Sequence, residues 1–248
     1  GATWLARIGC VESDLACGAH PSRYEPVAED MIRRGEKPTR IHNNCSGKHT
    51  GFLTVARHWD IATQGYEHHD HPVQRAIAKA LGELTEIKTE FPWGVDGCAA
   101  PNFAVPLDAQ ARAFAKFAAP DLLSKERAKA CRRIVHAMTA HPELVSGTGR
   151  SCAILMRSTN GRAAVKIGAE GFYAGMAPEM GLGIVLKIDD GASRAAETAM
   201  AAILDRLGLL GNDQAARELL NAPVTNTRNA TVGVRRAAPA LTTAEITV

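Results

Sequence analysis

The chain has 248 residues, 46% of them hydrophobic and 22% charged, with a formal net charge of +3. That length and apolar content suffice for one large domain or two small ones with a real core, while the nearly balanced, interspersed charges argue against a phosphate-tracking nucleic-acid face. No apolar run approaches the roughly 20 residues that cross a bilayer, and the charged opening GATWLARIGCVESDLACGAHPS does not read as a signal peptide.

In chain order, the first forty residues carry turn signals at CGAHPS and RRGEKP. From His49 the pattern changes, with Phe52, Leu53, Val55 and Ala56 at near-helical spacing. This places the stretch NNCSGKHTGF, residues 43–52, at the N-terminal end of a helix. DHPVQRAIAKALGELTEI predicts a second helix, capped by Asp70 or His71, with Pro72 in its first turn. Val73, Ile77, Ala80, Leu81 and Leu84 form its apolar face. Residues 89–109, rich in Gly and Pro, read as an irregular loop.

Helices are expected at 107–118, ended by Pro120, and at about 122–139, where Leu123, Ala130, Cys131, Ile134, Val135 and Met138 are apolar. SCAILMRSTNGRAAVKIGAE reads as two strands joined across Asn160-Gly161, a strong hairpin signal. GLGIVLKIDDG reads as a further strand, closed by a turn at Asp189-Asp190-Gly191, and SRAAETAMAAILDRLG as a long Ala-rich helix. TNTRNATVGVRR ends the recognisable pattern. Helices first, then antiparallel strands and a packing helix, make an α+β layout. No repeat or low-complexity linker divides the chain, so a single domain over 1–248 is expected.

The six cysteines, at 10, 17, 45, 98, 131 and 152, form no C-x-x-C pair. They read as reduced thiols of a cytoplasmic protein, with Cys131 and Cys152 as small buried hydrophobes. The chain begins without Met and is polar by residue 12, which raises the expectation that it starts within a domain whose N-terminal part is missing.

NNCSGKHTGF places a thiol, a hydroxyl, an amine and an imidazole within five residues, at Cys45, Ser46, Lys48 and His49. The stretch does not fit a phosphate loop: Ile41 and His42 stand upstream where a glycine is needed, and His49 replaces the hydroxyl that would hold Mg²⁺. Ser46 and Lys48 are two residues apart, whereas a lysine base serving a serine from the same helix is three away. Cys45 and Lys48 do have that spacing and point the same way from one helical turn. An ammonium beside a thiol favours the thiolate, which suits nucleophiles and metal ligands alike.

A second thiol, Cys98, stands in the Gly-bracketed loop WGVDGCAAPN, two residues after Asp96. A metal shared with Cys45 would tie that loop down, because two thiolates with nitrogen ligands are a zinc-like set. Asp96 and His49 would then stand behind the ligands. The plainer alternative, a helix-start turn with a surface lysine, stays open on the residues alone.

NNCSGKHTGF, DHPVQ, WGVDGCAAPNFAVPL, HPELVSGTGR, VKIGAEGFYA and LKIDDG occur here in the order found in the L-asparaginase II family, the inducible-type asparaginases unrelated to the Thr-dependent ones. The chain resembles that family from CGAHPS to TNTRNATVGVRR. The resemblance implies a serine β-lactamase or penicillin-binding-protein-like fold, an antiparallel sheet packed against helices. It implies hydrolysis of L-asparagine to L-aspartate and ammonia, and a homodimer. It also implies zinc held by Cys45, Lys48 and Cys98, shaping the substrate pocket, with His49 and Asp96 beside it. Lys166, in AAVKIGAEG, falls on the family's strand lysine, comparable in place to the K-T-G lysine of β-lactamases. Its implied role is to favour deprotonation of the attacking serine or to bind the substrate carboxylate; the residue pattern alone would make it a solvent-facing lysine on an exposed strand.

Two departures stand out. The family's S-x-x-K serine and its Ser-His-Ser-type segment have no counterpart here, so the nucleophile is expected upstream of residue 1. Cys152, in GTGRSCAILM, stands where some members carry Asp. The missing motif leaves room for a zinc-stabilised domain that binds asparagine or aspartate without turnover; a further reading, a β-lactamase-like serine hydrolase of other specificity, would need an S-x-x-K that the chain does not show.

Overall fold

The computed structural model describes residues 1–243. The chain divides into two compact units, Gly1–Val105 and a second from Pro106 onward. The composition is mixed helix and antiparallel sheet, the expected α+β class.

The first unit contains α1 (Ala2–Arg7), α2 (Glu25–Arg33), α3 (Ser46–His58) and α4 (Pro72–Thr85), then the hairpin β1 (Trp93–Val95) and β2 (Pro101–Phe103). Its core gathers Leu5, Leu15, Cys17, Leu53, Tyr66, Cys98 and Ala100, so both the α3 segment and the hairpin turn contribute to one apolar cluster. α4 starts as predicted, with His71 as the cap: its side chain accepts from the Val73 N–H at 3.2 Å. Glu86, in the left-handed region at φ 63°, ends it. The predicted apolar face is only partly used. Val73 is buried, Ile77, Leu81 and Leu84 are half-buried, and the buried Gln74 donates its amide to the Tyr66 carbonyl at 2.8 Å.

The stretch 89–109 is not all irregular. Trp93 pairs with Phe103, Gly94 with Asn102 and Val95 with Pro101 in antiparallel register. Strands of three residues are too short to show an alternating pattern, so their pairing is invisible along the chain. The helices α1 and α2 likewise lie where only turn signals were legible.

The second unit contains α5 (Leu107–Ala118), α6 (Lys125–Ala140), α7 (Pro142–Ser146), α8 (Ser151–Ser158), β3 (Ala164–Ile167), β4 (Phe172–Ala177), β5 (Leu182–Lys187), α9 (Ser193–Arg206), α10 (Gln214–Leu220), β6 (Asn221–Thr225), β7 (Thr231–Arg236) and α11 (Pro239–Thr243). β3, β4 and β5 form an antiparallel sheet in sequence order, with β4 central and buried along most of its length. Leu155, Met156, Val165, Tyr173, Met200 and Leu204 pack its core. α6 starts at Ser124, whose hydroxyl accepts from the Arg127 N–H, and buries Ala128, Cys131 and Val135, while Ile134 points outward.

The hairpin expected across Asn160-Gly161 is not formed. Residues 151–158 are helical, and the residues read as a hairpin turn are the stop of α8. Asn160 and Gly161 adopt φ 51° and 76°, the Asn160 N–H reaches the Arg157 carbonyl and the Gly161 N–H reaches that of Met156, which is the Schellman pattern of a helix C-terminus. A fully buried apolar run looks the same as strand or helix, and Asn-Gly serves either turn. The hairpin of this region is β3–β4, turning over 168–171, so Lys166 sits on its first strand rather than its second. β6 and β7 form a further hairpin in a stretch where no pattern was read. Among the described residues, no helix is long and apolar enough to cross a membrane.

Candidate active site

The Cys45–His49 segment is built from the start of α3. The Asn43 side chain accepts from the Cys45 N–H at 2.8 Å and donates to the Gly18 carbonyl at 2.6 Å, which fixes the backbone leading into the helix. Cys45 is the N-cap, and its carbonyl accepts from the His49 N–H at 3.0 Å. Lys48 and His49, three and four residues on, therefore lie on the same side of the helix as Cys45. Ser46 joins through its backbone, its carbonyl accepting from Thr50 Oγ1 at 2.8 Å.

The turn between β1 and β2 supplies Cys98 and Asp96. Asp96 Oδ1 accepts from the Cys98 N–H at 2.8 Å and the Ala100 N–H at 3.1 Å. Its backbone N–H donates to Ala100, and Ala99 takes a left-handed φ of 71°. One carboxylate thus knits a five-residue turn that local pattern does not specify. Its other oxygen, Oδ2, meets Lys48 Nζ at 3.1 Å. His49 Nε2 lies 3.2 Å from Cys98 Sγ, and on the opposite edge of the ring Nδ1 lies 2.6 Å from the Tyr66 hydroxyl. Phe52 and Tyr66 meet the imidazole edge-on, and Lys48 Nζ stands 5.9 Å from the Phe52 ring centroid.

The cluster has a dry side and a wet side. His49 and Cys98 are buried, whereas Cys45 is half-buried and the Lys48 side chain is 39% exposed. Burial pushes the Cys98 thiol up to about 11, with Asp96 raising it further and Lys48 drawing it back. Burial, then the Lys48 charge, push His49 down to about 4, so the ring is neutral. Burial works against charge on Lys48 and Asp96 too, but contacts with Cys98 and with each other hold Lys48 above and Asp96 below their ordinary values. Burial raises Tyr66, which stays a neutral phenol.

Among the described residues, no group of three or more His, Cys, Asp and Glu side chains stands ready to hold a metal ion. The donors that the family resemblance implies for a metal are Cys45, Cys98 and the Lys48 amine. Two sulfurs and a nitrogen fit zinc in kind, and binding would displace the protons these groups carry.

The family model for L-asparaginase II matches residues 1–237. The chain belongs to the L-asparaginase II family. A search of curated proteins returns no match. At the level of the family this is an asparaginase-type amidohydrolase acting on a small-molecule substrate.

In this asparaginase II chain Lys166 belongs to the second unit. It is the one exposed residue of β3, between buried Val165 and Ile167, opposite Ala174, and its Nζ donates to the Ile167 carbonyl. Cys152 is fully buried; its sulfur accepts from the Ile167 N–H at 3.2 Å and the Tyr173 O–H at 3.3 Å. Burial raises the Tyr173 phenol far above its usual range, so it stays a donor inside the core. The residue that sequence reasoning missed is Tyr66. Nothing in GYEHHD marks it, because the burial that makes its hydroxyl need a partner is set by the packing and not by neighbouring residues.

Proposed function

We propose that this asparaginase II chain takes part in the hydrolysis of L-asparagine to L-aspartate and ammonia. The observation that carries the reading is the joining of Cys45, Lys48 and His49 to Asp96 and Cys98, two segments 48 residues apart, within the span matched by the family. Cys45, Lys48 and Cys98 would hold zinc, which when bound supplies a fixed positive charge that shapes the substrate pocket. Asp96 orients the Lys48 amine and fixes the turn that carries Cys98. His49 abuts the Cys98 sulfur. Lys166 supplies positive charge for a serine alkoxide or for the substrate carboxylate.

The reaction is acyl transfer: a serine attacks the side-chain amide carbon, ammonia leaves with a proton, and water then cleaves the aspartyl ester. No serine in the 248 residues is followed by lysine three positions later, so the attack is assigned to an S-x-x-K serine outside them. The antiparallel sheet of β3–β5 with its packed helices supports a β-lactamase-like fold for this reading, and family resemblance supports a homodimer.

The missing S-x-x-K also favours a second reading, a domain that binds asparagine or aspartate without turnover. Ammonia release from L-asparagine, measured beside calorimetry with both amino acids, separates the two. The 248 residues alone are expected to bind without release, and restoring any coding sequence upstream of Gly1 that carries S-x-x-K to restore it. Full turnover by the 248 residues alone would overturn the assignment of the serine. Continued binding without turnover after restoration would establish the second reading.

A further inference from the structure

His49 sits in the middle of a hydrogen-bonded chain whose protons can be placed by donor–acceptor accounting. The Ala16 backbone N–H, which can only donate, lies 2.7 Å from the Tyr66 oxygen. Among the described residues, the only other partner of that oxygen is His49 Nδ1, at 2.6 Å. The phenol is 1% exposed, so its own proton must be satisfied inside the protein. With the oxygen already accepting from Ala16, that proton points at Nδ1. A neutral imidazole that accepts at Nδ1 carries its proton at Nε2, and Nε2 lies 3.2 Å from Cys98 Sγ. Beyond Cys98, Asp96 Oδ2 pairs with Lys48 Nζ at 3.1 Å. Every proton from Ala16 to the Cys98 sulfur points the same way.

We propose that Tyr66 is a positioning residue that locks His49 in its Nε2–H tautomer and so presents an N–H donor to the Cys98 sulfur. Ring rotation is restrained by the edge-on contacts of Phe52 and Tyr66, with centroids 5.5 Å from that of His49. A donor held at Sγ stabilises the thiolate and tunes it as a ligand, because hydrogen bonds to a charged acceptor are about twice as strong as those to a neutral one. This last consequence rests on the reading of Cys98 as a zinc ligand. The tautomer itself does not.

The test uses the full chain, metal-free, with ¹⁵N-labelled histidine; the His49 signals among the nine histidines are identified by their loss in His49→Asn. The wild type is expected to show Nδ1 as the unprotonated nitrogen and Nε2 as the protonated one. In Tyr66→Phe the ring is expected to become a mixture of tautomers, and the dissociation constant for added zinc to rise about 10- to 100-fold. A wild-type ring protonated at Nδ1 would overturn the proposal, as would a Tyr66→Phe chain with the tautomer unchanged. Should that variant fail to fold, the wild-type spectrum alone decides. A wild type that takes up no zinc but shows the locked tautomer, lost in Tyr66→Phe, would remove the zinc reading and leave the positioning role standing. Tight zinc in both proteins with an unchanged tautomer would do the reverse.

Discussion

Asp96 and Cys98 are two residues apart and divide their work. The carboxylate holds the turn through two backbone N–H groups and the Lys48 amine through its other oxygen, while the thiol faces His49. Replacing Cys98 therefore separates ligand loss from loss of the turn. Purified wild-type protein is expected to carry about one zinc per chain by elemental analysis, and Cys98→Ser to lose most of it while keeping its far-ultraviolet circular dichroism. Unchanged zinc content in the variant would remove Cys98 from the ligand set. The half of the site on α3 was legible along the chain, because spacings of three and four residues are fixed by the helix itself. The contacts of His49 with Tyr66 and Cys98, 17 and 49 residues away, were not, since nothing local dictates which distant side chain a buried imidazole meets.

The elements were legible in proportion to their length. α4, α5, α6 and α9, of 12 to 16 residues, lie where their apolar periodicity placed them, whereas the eight residues of α8, six of them buried, carry an apolar run that reads equally as strand. α9 shows the same stop as α8: Gly208 at φ 66°, with the Leu209 N–H on the Leu204 carbonyl. β5 packs against α5 through a missing side chain. A Cβ on Gly183 would stand 2.1 Å from the Ala111 carbonyl oxygen and 2.3 Å from the Ala115 nitrogen, both backbone atoms of α5. Gly183→Ala must push the helix off the strand, and the expected loss of stability is about 3 kcal/mol or more, at the upper end for overpacking. Chemical denaturation measures it, and a change below about 0.5 kcal/mol, the range of an ordinary surface substitution, would mean that the close approach is not maintained.

For the whole molecule, the proposed homodimer predicts sedimentation at twice the 26.4 kDa of the chain; sedimentation at the single-chain mass across micromolar concentrations would overturn it. Composition, helical periodicity and the run of motifs determined on their own the α+β class, the long helices and the family, because each is written in neighbouring residues. The structure describes two compact units, each with a core of its own. Only the tertiary structure decided the partners of NNCSGKHTGF: Asp96 on Lys48, Cys98 and Tyr66 on His49, with Ser46 engaged through its backbone. The physical reason is burial. Removed from water, an imidazole, a thiol and a phenol must satisfy one another, and which of them meet is set by how α3 and the β1–β2 turn pack into one core.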